Sequence, residues 1–335
     1  MSEDSRQTTV LSDRFGRHID YLRLSVTDRC NLRCTYCMSE QMTFLPRQQI
    51  LTFEEIYQLA EVFVELGIRK LRLTGGEPLI RRDILKLVEA LAKLPDLQEL
   101  SMTTNGVMLP EMATQLKAAG LSRLNISLDS LKPERFKRLT RVGELAQVIA
   151  GIEAAIRAGF ERIKLNAVIL DGFNQDEAVD LAQYAISKGI DISFIEEMPL
   201  GDISSHQRKD TQICNQSIRD QLVKQFDLLP CADKTAGPSR YLRPAKRATR
   251  IGFISPISDN FCDSCNRIRL TAEGRLLLCL GNEHSVDLRS VIRTAPDNTK
   301  RLKQTIINAM QIKPERHHFD PQHTDIVRFM NMTGG

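Results

Sequence analysis

The sequence lacks the features of a secreted, membrane-bound or nucleic-acid-binding protein. Its 335 residues contain no uninterrupted apolar run near the roughly 18 residues that a membrane span requires. Residues 1–18 are polar and lack the apolar core of a signal peptide. The net charge is only +4, which suits an anionic small molecule better than a nucleic acid. We therefore expect a cytoplasmic protein that binds no membrane and no nucleic acid.

The sequence also lacks a disulfide framework, although it contains eight cysteines. Six of them fall in two tight groups, which is typical of metal binding in a reducing compartment. The other two, Cys214 and Cys231, are expected to be ordinary thiols. The hydrophobic fraction of 42% permits a sizeable core without disulfides. The length fits one large α/β domain with an appendage, or two modest domains.

Strands and helices alternate through the first 200 residues. Four of the predicted helices end at a glycine, which tolerates the left-handed conformation that closes a helix: Gly67, Gly120, Gly159 and Gly189. Thr52 and Glu55 form a capping box at the start of the first helix. The predicted strands are short apolar runs at residues 21–26, 70–73, 99–103, 123–128, 162–170 and 191–196. Six successive strand–helix units predict a parallel sheet with right-handed crossovers.

Polar residues gather where these strands end, for example at positions 74–77, 103–106 and 196–198. The alternation alone permits either a doubly wound sheet or a barrel. Functional side chains at the carboxyl end of nearly every strand favour the barrel. We predict an α/β protein with a flexible lead-in at residues 1–18, a six-unit barrel at 19–200 and a C-terminal extension at 201–335.

Cys30, Cys34 and Cys37 form a C-x3-C-x2-C loop shortly after the first strand. A structural zinc ion needs four ligands, and no histidine is near enough in the sequence to complete this set. A four-iron cluster held by three thiolates keeps one iron open to bind and reduce another molecule. The spacing, with the aromatic Tyr36 before the last cysteine, favours a [4Fe-4S] cluster over zinc or unligated thiols.

A second group, C-x2-C-x13-C, consists of Cys262, Cys265 and Cys279. C-x2-C is also half of a common zinc site, and His284 is an available fourth ligand. Arg267 and Arg269 lie between these cysteines and share one face of an extended segment. Two cations beside an open-site cluster suit a bound anion, so a second [4Fe-4S] cluster is favoured here.

The two cysteine groups resemble those of the radical S-adenosylmethionine (SAM) enzymes. Within that superfamily the sequence resembles the GTP 3′,8-cyclases of molybdenum cofactor biosynthesis. The resemblance covers about residues 21–335. It rests on several motifs in order: Leu24-Ser-Val-Thr-Asp-Arg-Cys30, Leu73-Thr-Gly-Gly-Glu-Pro78, Thr103-Thr-Asn-Gly106, Asn125-Ile-Ser-Leu-Asp129, Phe261-Cys-Asp-Ser-Cys-Asn-Arg-Ile-Arg269 and Gly334-Gly335. It implies an incomplete (β/α)6 TIM-like barrel whose C-terminal extension carries the second cluster.

The resemblance also implies which residues bind ligands. The two clusters would be held by Cys30, Cys34 and Cys37 and by Cys262, Cys265 and Cys279. The positions that match SAM contacts are Tyr36, Gly76, Ser127 and Met198. The positions that match GTP contacts are Arg23, Arg72, Thr103, Lys164, Arg267 and Arg269. The diglycine tail, Gly334 and Gly335, is expected to reach the active site.

Four arginines and a lysine suit a triphosphate, because guanidinium groups make paired hydrogen bonds to phosphate oxygens. The strand pattern alone places Arg23 and Arg72 inside the barrel, where a charge is costly unless it is paired. From that pattern alone, ion pairs with Glu77 or Asp129 explain the two buried arginines as well as phosphate binding does.

The implied reaction begins with reductive cleavage of SAM at the first cluster, for which Cys30, Cys34 and Cys37 count as catalytic. The 5′-deoxyadenosyl radical removes the C3′ hydrogen of GTP, and the sugar radical attacks C8. The product is (8S)-3′,8-cyclo-7,8-dihydroguanosine 5′-triphosphate, and the second cluster anchors the purine. The implied partners are an external one-electron donor and the downstream cyclic pyranopterin monophosphate synthase. A homodimer is also compatible with the sequence.

The chain differs from the family pattern at one position, and it also contains one unusually basic segment. Where this family often has an arginine on the sixth strand, the chain has Ser193, so one substrate contact is absent or supplied elsewhere. Residues 234–250 contain six basic residues and no acidic one. We expect this run to be a solvated loop, since Tyr241 is its only aromatic and nucleic-acid strips interleave several.

Two other functions remain compatible with the sequence. A radical SAM peptide-modifying maturase also carries auxiliary clusters, but it would have more C-terminal cysteines and a peptide-recognition domain before the barrel. A non-enzymatic iron–sulfur or zinc module would hold its metal without cleaving SAM.

Overall fold

The computed structural model describes residues 10–203, 206, 208–232, 237–320 and 326–334. Its strands are β1 Tyr21–Ser25, β2 Lys70–Thr74, β3 Glu99–Thr104, β4 Arg123–Ser127, β5 Arg162–Ile169, β6 Asp191–Glu196, β7 Leu228–Pro230, β8 Arg240–Pro244, β9 Ile251–Ile254, β10 Arg267–Leu270, β11 Arg275–Leu277 and β12 Ser285–Asp287. Its helices are α1 Phe53–Glu65, α2 Ile84–Ala92, α3 Leu109–Ala118, α4 Pro133–Thr140, α5 Leu145–Arg157, α6 Ala178–Lys188, α7 Arg208–Thr211, α8 Asn215–Gln225, α9 Leu288–Thr294, α10 Thr299–Met310 and α11 Met330–Thr333.

These strands form one sheet in the order β12-β11-β10-β1-β2-β3-β4-β5-β6-β9-β8-β7. The eight neighbours from β10 through β1–β6 to β9 are parallel. Antiparallel strands extend both edges, β11 and β12 on one side and β8 and β7 on the other. Among the described residues β12 and β7 do not pair, so the sheet stays open. The prediction of an incomplete α/β barrel is confirmed.

The first six strands agree with the sequence prediction to within one residue at each end. The agreement follows from burial, since nearly every residue of β1, β3 and β4 is buried or half-buried whichever face it lies on. Such two-sided burial produces the short apolar runs that mark parallel strands. Leu22, Leu24, Leu71 and Leu73 pack into the same core as the apolar faces of the surrounding helices.

The predicted helix signals also appear in the structure. The Glu55 amide donates to Thr52 Oγ1 at 3.2 Å and the Thr52 amide donates to Glu55 Oε2 at 2.8 Å, which completes the capping box. The four glycines that follow α1, α3, α5 and α6 all have positive φ, from +66° to +102°. These glycines therefore end their helices in the way the sequence predicted.

Residues 10–18 are attached to the C-terminal part of the chain. Arg17 donates to the carbonyls of Cys262 and Pro314, and its Nε bonds to Asp13 at 2.6 Å. Ser12 and His18 form an isolated β-bridge. This part of the predicted lead-in thus braces the second cysteine group.

The basic run at 234–250 was wrongly predicted to be a loop throughout. Residues 240–244 form β8, in which Arg240 and Arg243 are exposed while Tyr241 and Leu242 are buried. The exposed positions 240 and 243 are three residues apart, so they lie on opposite faces of the strand. Residues 233–236 lie outside the described part of the chain. No helix within the described ranges has the length and apolarity needed to cross a membrane.

Candidate active site

One cavity lies within the open barrel and at the carboxyl ends of its strands. It is lined by all six clustered cysteines and by every described position predicted to contact SAM, namely Tyr36, Gly76, Ser127 and Met198. It is also lined by every position predicted to contact GTP, namely Arg23, Arg72, Thr103, Lys164, Arg267 and Arg269. Cys37 and Cys279, 242 residues apart in sequence, therefore border the same space.

The first cysteine loop is fixed by contacts with α4 and with the C-terminal tail. The Thr35 amide donates to Leu139 O at 2.9 Å, and the Met330 amide donates to Cys37 O at 3.2 Å. Burial raises the pKa of Cys30 to about 11 and that of Cys37 to about 12. Burial also raises the pKa of Cys34 well above its usual value. A metal centre would supply the positive charge that keeps such buried thiols deprotonated.

The donor set fits a cluster better than a single ion. Across the residues that the structure describes, no three His, Cys, Asp or Glu side chains surround a position for one metal ion. That finding is compatible with a cluster, because its thiolates bind different iron atoms and stand farther apart than the ligands of one ion. His284, the alternative zinc ligand, is exposed and does not border the cavity.

The second cysteine group lies beside Lys313, a lysine that belongs to no motif in the sequence. Lys313 is 1% exposed, and its Nζ lies 3.9 Å from Cys265 Sγ and 3.0 Å from Arg267 O. Burial alone would raise the pKa of Cys265, but Arg267 and Lys313 outweigh it and hold that pKa at about 7. Lys313 thus adds positive charge to the wall formed by this group.

Arginines lie side by side at the inner end of the cavity. Strand register places Arg269 of β10 next to Arg23 of β1, and Arg23 next to Arg72 of β2. Burial and, to a smaller extent, the neighbouring Arg267 together lower the pKa of Arg269 to about 10. Burial likewise lowers the pKa of Lys164 to about 8. Grouping buried cations in this way is unfavourable unless an anion joins them.

The ion pairs considered from the sequence do not occur among the described residues. Glu77 accepts hydrogen bonds from the Asn105 and Leu79 amides and from Thr104 Oγ1. Asp129 accepts from Tyr36 Oη at 2.7 Å and from the Val168 amide at 2.8 Å. Both carboxylates therefore accept hydrogen bonds at the carboxyl ends of the strands, and neither forms an ion pair with Arg23 of β1 or Arg72 of β2.

Ser193 leaves no room for the arginine that is frequent at its position. It is fully buried, and its Oγ lies 2.9 Å from Ser239 Oγ. Gly252 is the register partner of Ser193 on β9, and a Cβ on Gly252 would lie 2.7 Å from Ser193 Oγ. Ser193, Ser239 and Gly252 pack closely because all three residues are small.

Two residues of the C-terminal tail, Met330 and Asn331, line the cavity. Arg269 donates to the carbonyls of Thr333 and Gly334, and a Cβ on Gly334 would lie 2.0 Å from Thr74 Oγ1. Asn331 Nδ2 donates to Asp28 O at 2.8 Å, beside the first cysteine loop. Gly335 lies outside the described residues.

Comparisons with known proteins agree with this arrangement. The family model described as the radical SAM superfamily matches residues 24–185, and that described as Molybdenum Cofactor Synthesis C matches residues 190–319. A protein named GTP 3′,8-cyclase from Pseudomonas putida (strain W619) is 59% identical, with 100% of both chains covered. Another of that name, from Pseudomonas entomophila (strain L48), is 60% identical over 97% of this chain and 98% of the relative. The chain belongs to the GTP 3′,8-cyclase family.

The fold of this family member also occurs in a solved structure. Streptococcus suis SuiB, crystallised with bound S-adenosylmethionine, superposes with a TM-score of 0.57 at 15% identity. The match covers 87% of this chain and 69% of SuiB. At that identity the likeness concerns the fold alone.

Gly76 is required by backbone packing in this family member, in addition to any contact with SAM. A Cβ at this position would lie 2.2 Å from Arg29 O and 2.5 Å from Arg29 C, next to Cys30. We expect Gly76→Ala to displace the first cysteine loop and to weaken SAM binding at least tenfold, as measured by equilibrium dialysis under anaerobic conditions. Gly159→Ala is the matched control, because a Cβ there has open space. The Gly159→Ala variant should be less stable by about 1 kcal/mol because of its left-handed backbone, and it should bind SAM as the wild type does. Equal SAM affinities of the wild type and both variants would contradict the packing argument.

Glu77 should make stability depend on pH. Burial raises its pKa from 4.5 to about 7, although three hydrogen bonds to the carboxylate oppose the shift. Since the folded pKa exceeds the unfolded one, stability is greatest below pH 4.5 and falls as the pH rises to about 7. The shift corresponds to about 3 kcal/mol. Urea unfolding of the SAM-free protein at pH 5 and pH 8 should show this loss relative to Glu77→Gln, and parallel pH profiles of the two proteins would contradict it.

Proposed function

We propose that this chain is a GTP 3′,8-cyclase. It converts GTP to (8S)-3′,8-cyclo-7,8-dihydroguanosine 5′-triphosphate, the first step of molybdenum cofactor biosynthesis. The observation that carries the proposal is the convergence of two cysteine triads and a group of buried cations on one cavity. The names of relatives that are 59–60% identical over the whole chain support it.

The cofactors of the proposed reaction are two [4Fe-4S] clusters and SAM. Cys30, Cys34 and Cys37 would hold the first cluster, and Cys262, Cys265 and Cys279 the second. When bound, the first cluster and SAM together supply the electron and the carbon radical that takes hydrogen from C3′ of GTP. Tyr36, Gly76, Ser127 and Met198 are proposed to position SAM from the cluster loop and the ends of β2, β4 and β6.

The cations are proposed to hold the triphosphate. Arg23, Arg72 and Arg269 occupy one level of three adjacent strands, and Lys164 and Thr103 lie on β5 and β3. Phosphate oxygens would relieve the repulsion among these buried side chains, and charge-assisted hydrogen bonds are strong in such surroundings. Arg267 is proposed to bind substrate at the second cluster, where its guanidinium stacks 4.8 Å from the centre of the Phe261 ring.

The protein contributes orientation and protection from water. A radical reaction on one sugar carbon requires that SAM and ribose be held in contact, and the cavity bordered by the two cysteine loops and the tail is the place proposed for this. Gly334 and, by extension, Gly335 are proposed to cover the cavity beside Arg269. We further propose a cytoplasmic setting, an external one-electron donor and transfer of the product to cyclic pyranopterin monophosphate synthase.

Anaerobic incubation with SAM, dithionite and GTP tests the proposal. We expect 5′-deoxyadenosine and the cyclised nucleotide in equal amounts, both detected by mass spectrometry. GTP carrying deuterium at C3′ should transfer that deuterium to 5′-deoxyadenosine. Formation of no 5′-deoxyadenosine above the level without GTP would refute the assignment. About eight irons and no zinc per chain would exclude the zinc-module alternative.

A further inference from the structure

Asn125 is a buried side chain with an unused hydrogen-bonding capacity. It lies in the middle of β4, lines the cavity and is 1% exposed. Neither its Oδ1 nor its Nδ2 has a hydrogen-bond partner among the described residues. Buried amides are almost always hydrogen-bonded, so two unpaired atoms on one side chain indicate a ligand group that completes them.

The position of Asn125 in the sheet limits what that group can be. Its register partners are Thr103 on β3 and Lys164 on β5, both proposed to contact GTP. Ser127, proposed to contact SAM, lies two residues further along β4 on the same face. On the other side, Arg72 pairs with Ser101, two residues before Thr103. Asn125 therefore lies beside two proposed GTP contacts, and about 7 Å, the rise of two strand residues, from the level of Arg72 on one side and from Ser127 on the other.

We propose that Asn125 binds the ribose hydroxyls of the nucleotide substrate. The inference rests on the proposed function, in which hydrogen is taken from C3′ and the ribose must lie between the triphosphate and SAM. Vicinal hydroxyls both donate and accept, so one can donate to Oδ1 while the other accepts from Nδ2. Phosphate oxygens only accept and would leave Oδ1 unpaired. The guanine edge also donates and accepts, but the second cysteine group flanks β10, which is four strands away from β4.

Nucleotide binding measured without reductant tests the assignment. Wild-type protein, reconstituted with both clusters and SAM, is titrated anaerobically with GTP, 2′-deoxy-GTP and 3′-deoxy-GTP. Loss of a neutral hydrogen bond to a buried amide should weaken binding of at least one deoxy analogue about tenfold. Asn125→Ala should bind all three nucleotides with affinities within twofold of one another. Because its amide bonds to no described protein group, this variant should keep the wild-type Tm, iron content and SAM affinity.

Asn166→Ala provides a matched control. Asn166 also lines the cavity with an unpaired Oδ1, but it is the register partner of Ser127 and so lies at the SAM level. This variant should keep the wild-type preference for GTP over the deoxy analogues. The assignment to Asn125 alone is overturned if the Asn125→Ala variant retains the preference for GTP over its deoxy analogues. It is also overturned if the wild-type protein binds GTP and both analogues equally. Wild-type protein that binds none of the three overturns the proposed function as well, which separates the two failures.

Discussion

Replacing Cys37 by alanine should abolish SAM cleavage and lower the iron content from about eight to about four atoms per chain. Cys37 lines the cavity and is held through its own carbonyl by the amide of Met330. An alanine cannot ligate iron, so the first cluster loses one of its three protein ligands. The second cysteine group is untouched, so its cluster should remain. Iron and sulfide analysis, together with chromatography of 5′-deoxyadenosine, measures both effects.

Cys214→Ala and Cys231→Ala are the matched controls for this experiment. Cys214 is exposed and Cys231 half-buried, and neither lines the cavity. Both variants should contain as much iron as the wild type and cleave SAM at the same rate. A Cys37→Ala protein that keeps eight irons, or that still produces 5′-deoxyadenosine at the wild-type rate, would remove the first loop from the proposed mechanism.

Replacing Arg72 by methionine should weaken GTP binding 10- to 100-fold while making the unliganded protein more stable. Arg72 is 5% exposed, its Nε donates to Ser101 Oγ at 3.2 Å, and burial lowers the pKa of its guanidinium. Charge-assisted hydrogen bonds to phosphate contribute about 1.5–3 kcal/mol each, which gives the expected loss of affinity. Removing one cation from the group with Arg23 and Arg269 relieves desolvation and repulsion, and should add about 1 kcal/mol to the free energy of unfolding.

The two effects of Arg72→Met have opposite signs, so they distinguish a ligand-binding arginine from a structural one. Isothermal titration with GTP and urea unfolding without GTP measure them separately. Arg301→Met on the exposed face of α10 should change neither quantity. If Arg72→Met lowered the free energy of unfolding and left GTP affinity unchanged, Arg72 would be a structural cation instead.

The sequence was sufficient to predict β1–β6. β1–β6 are buried on both faces, so each appears as a separate apolar run between glycine-terminated helices. The cysteine spacing is equally local, since a cluster loop must bring three thiols together within a few residues. The strand pattern could not decide whether Arg23 and Arg72 were paired, because that depends on where Glu77 and Asp129 find their partners in three dimensions.

The edge strands and the supporting residues of the site were beyond a sequence-based prediction. β8 carries two exposed arginines and ends at a proline, so its composition suggests a loop. Lys313 follows α10 in an ordinary polar stretch, and only its contacts with Cys265 and Arg267 O distinguish it. Asn125 belongs to a motif that could be quoted from the sequence, but its unpaired amide becomes evident only when its surroundings are known.

The pairing of β1 with β10 has a consequence for how the chain folds during synthesis. Tyr21 is the register partner of Arg267, which lies 246 residues later. At about 5–20 residues per second, a ribosome needs roughly 10 to 50 s to make the intervening chain. During that interval one edge of β1 exposes unpaired amides and carbonyls, which is the kind of edge through which nascent chains associate. The earliest strand of the barrel is thus among the last to be completed, and a chaperone that shields it should increase the yield of folded protein.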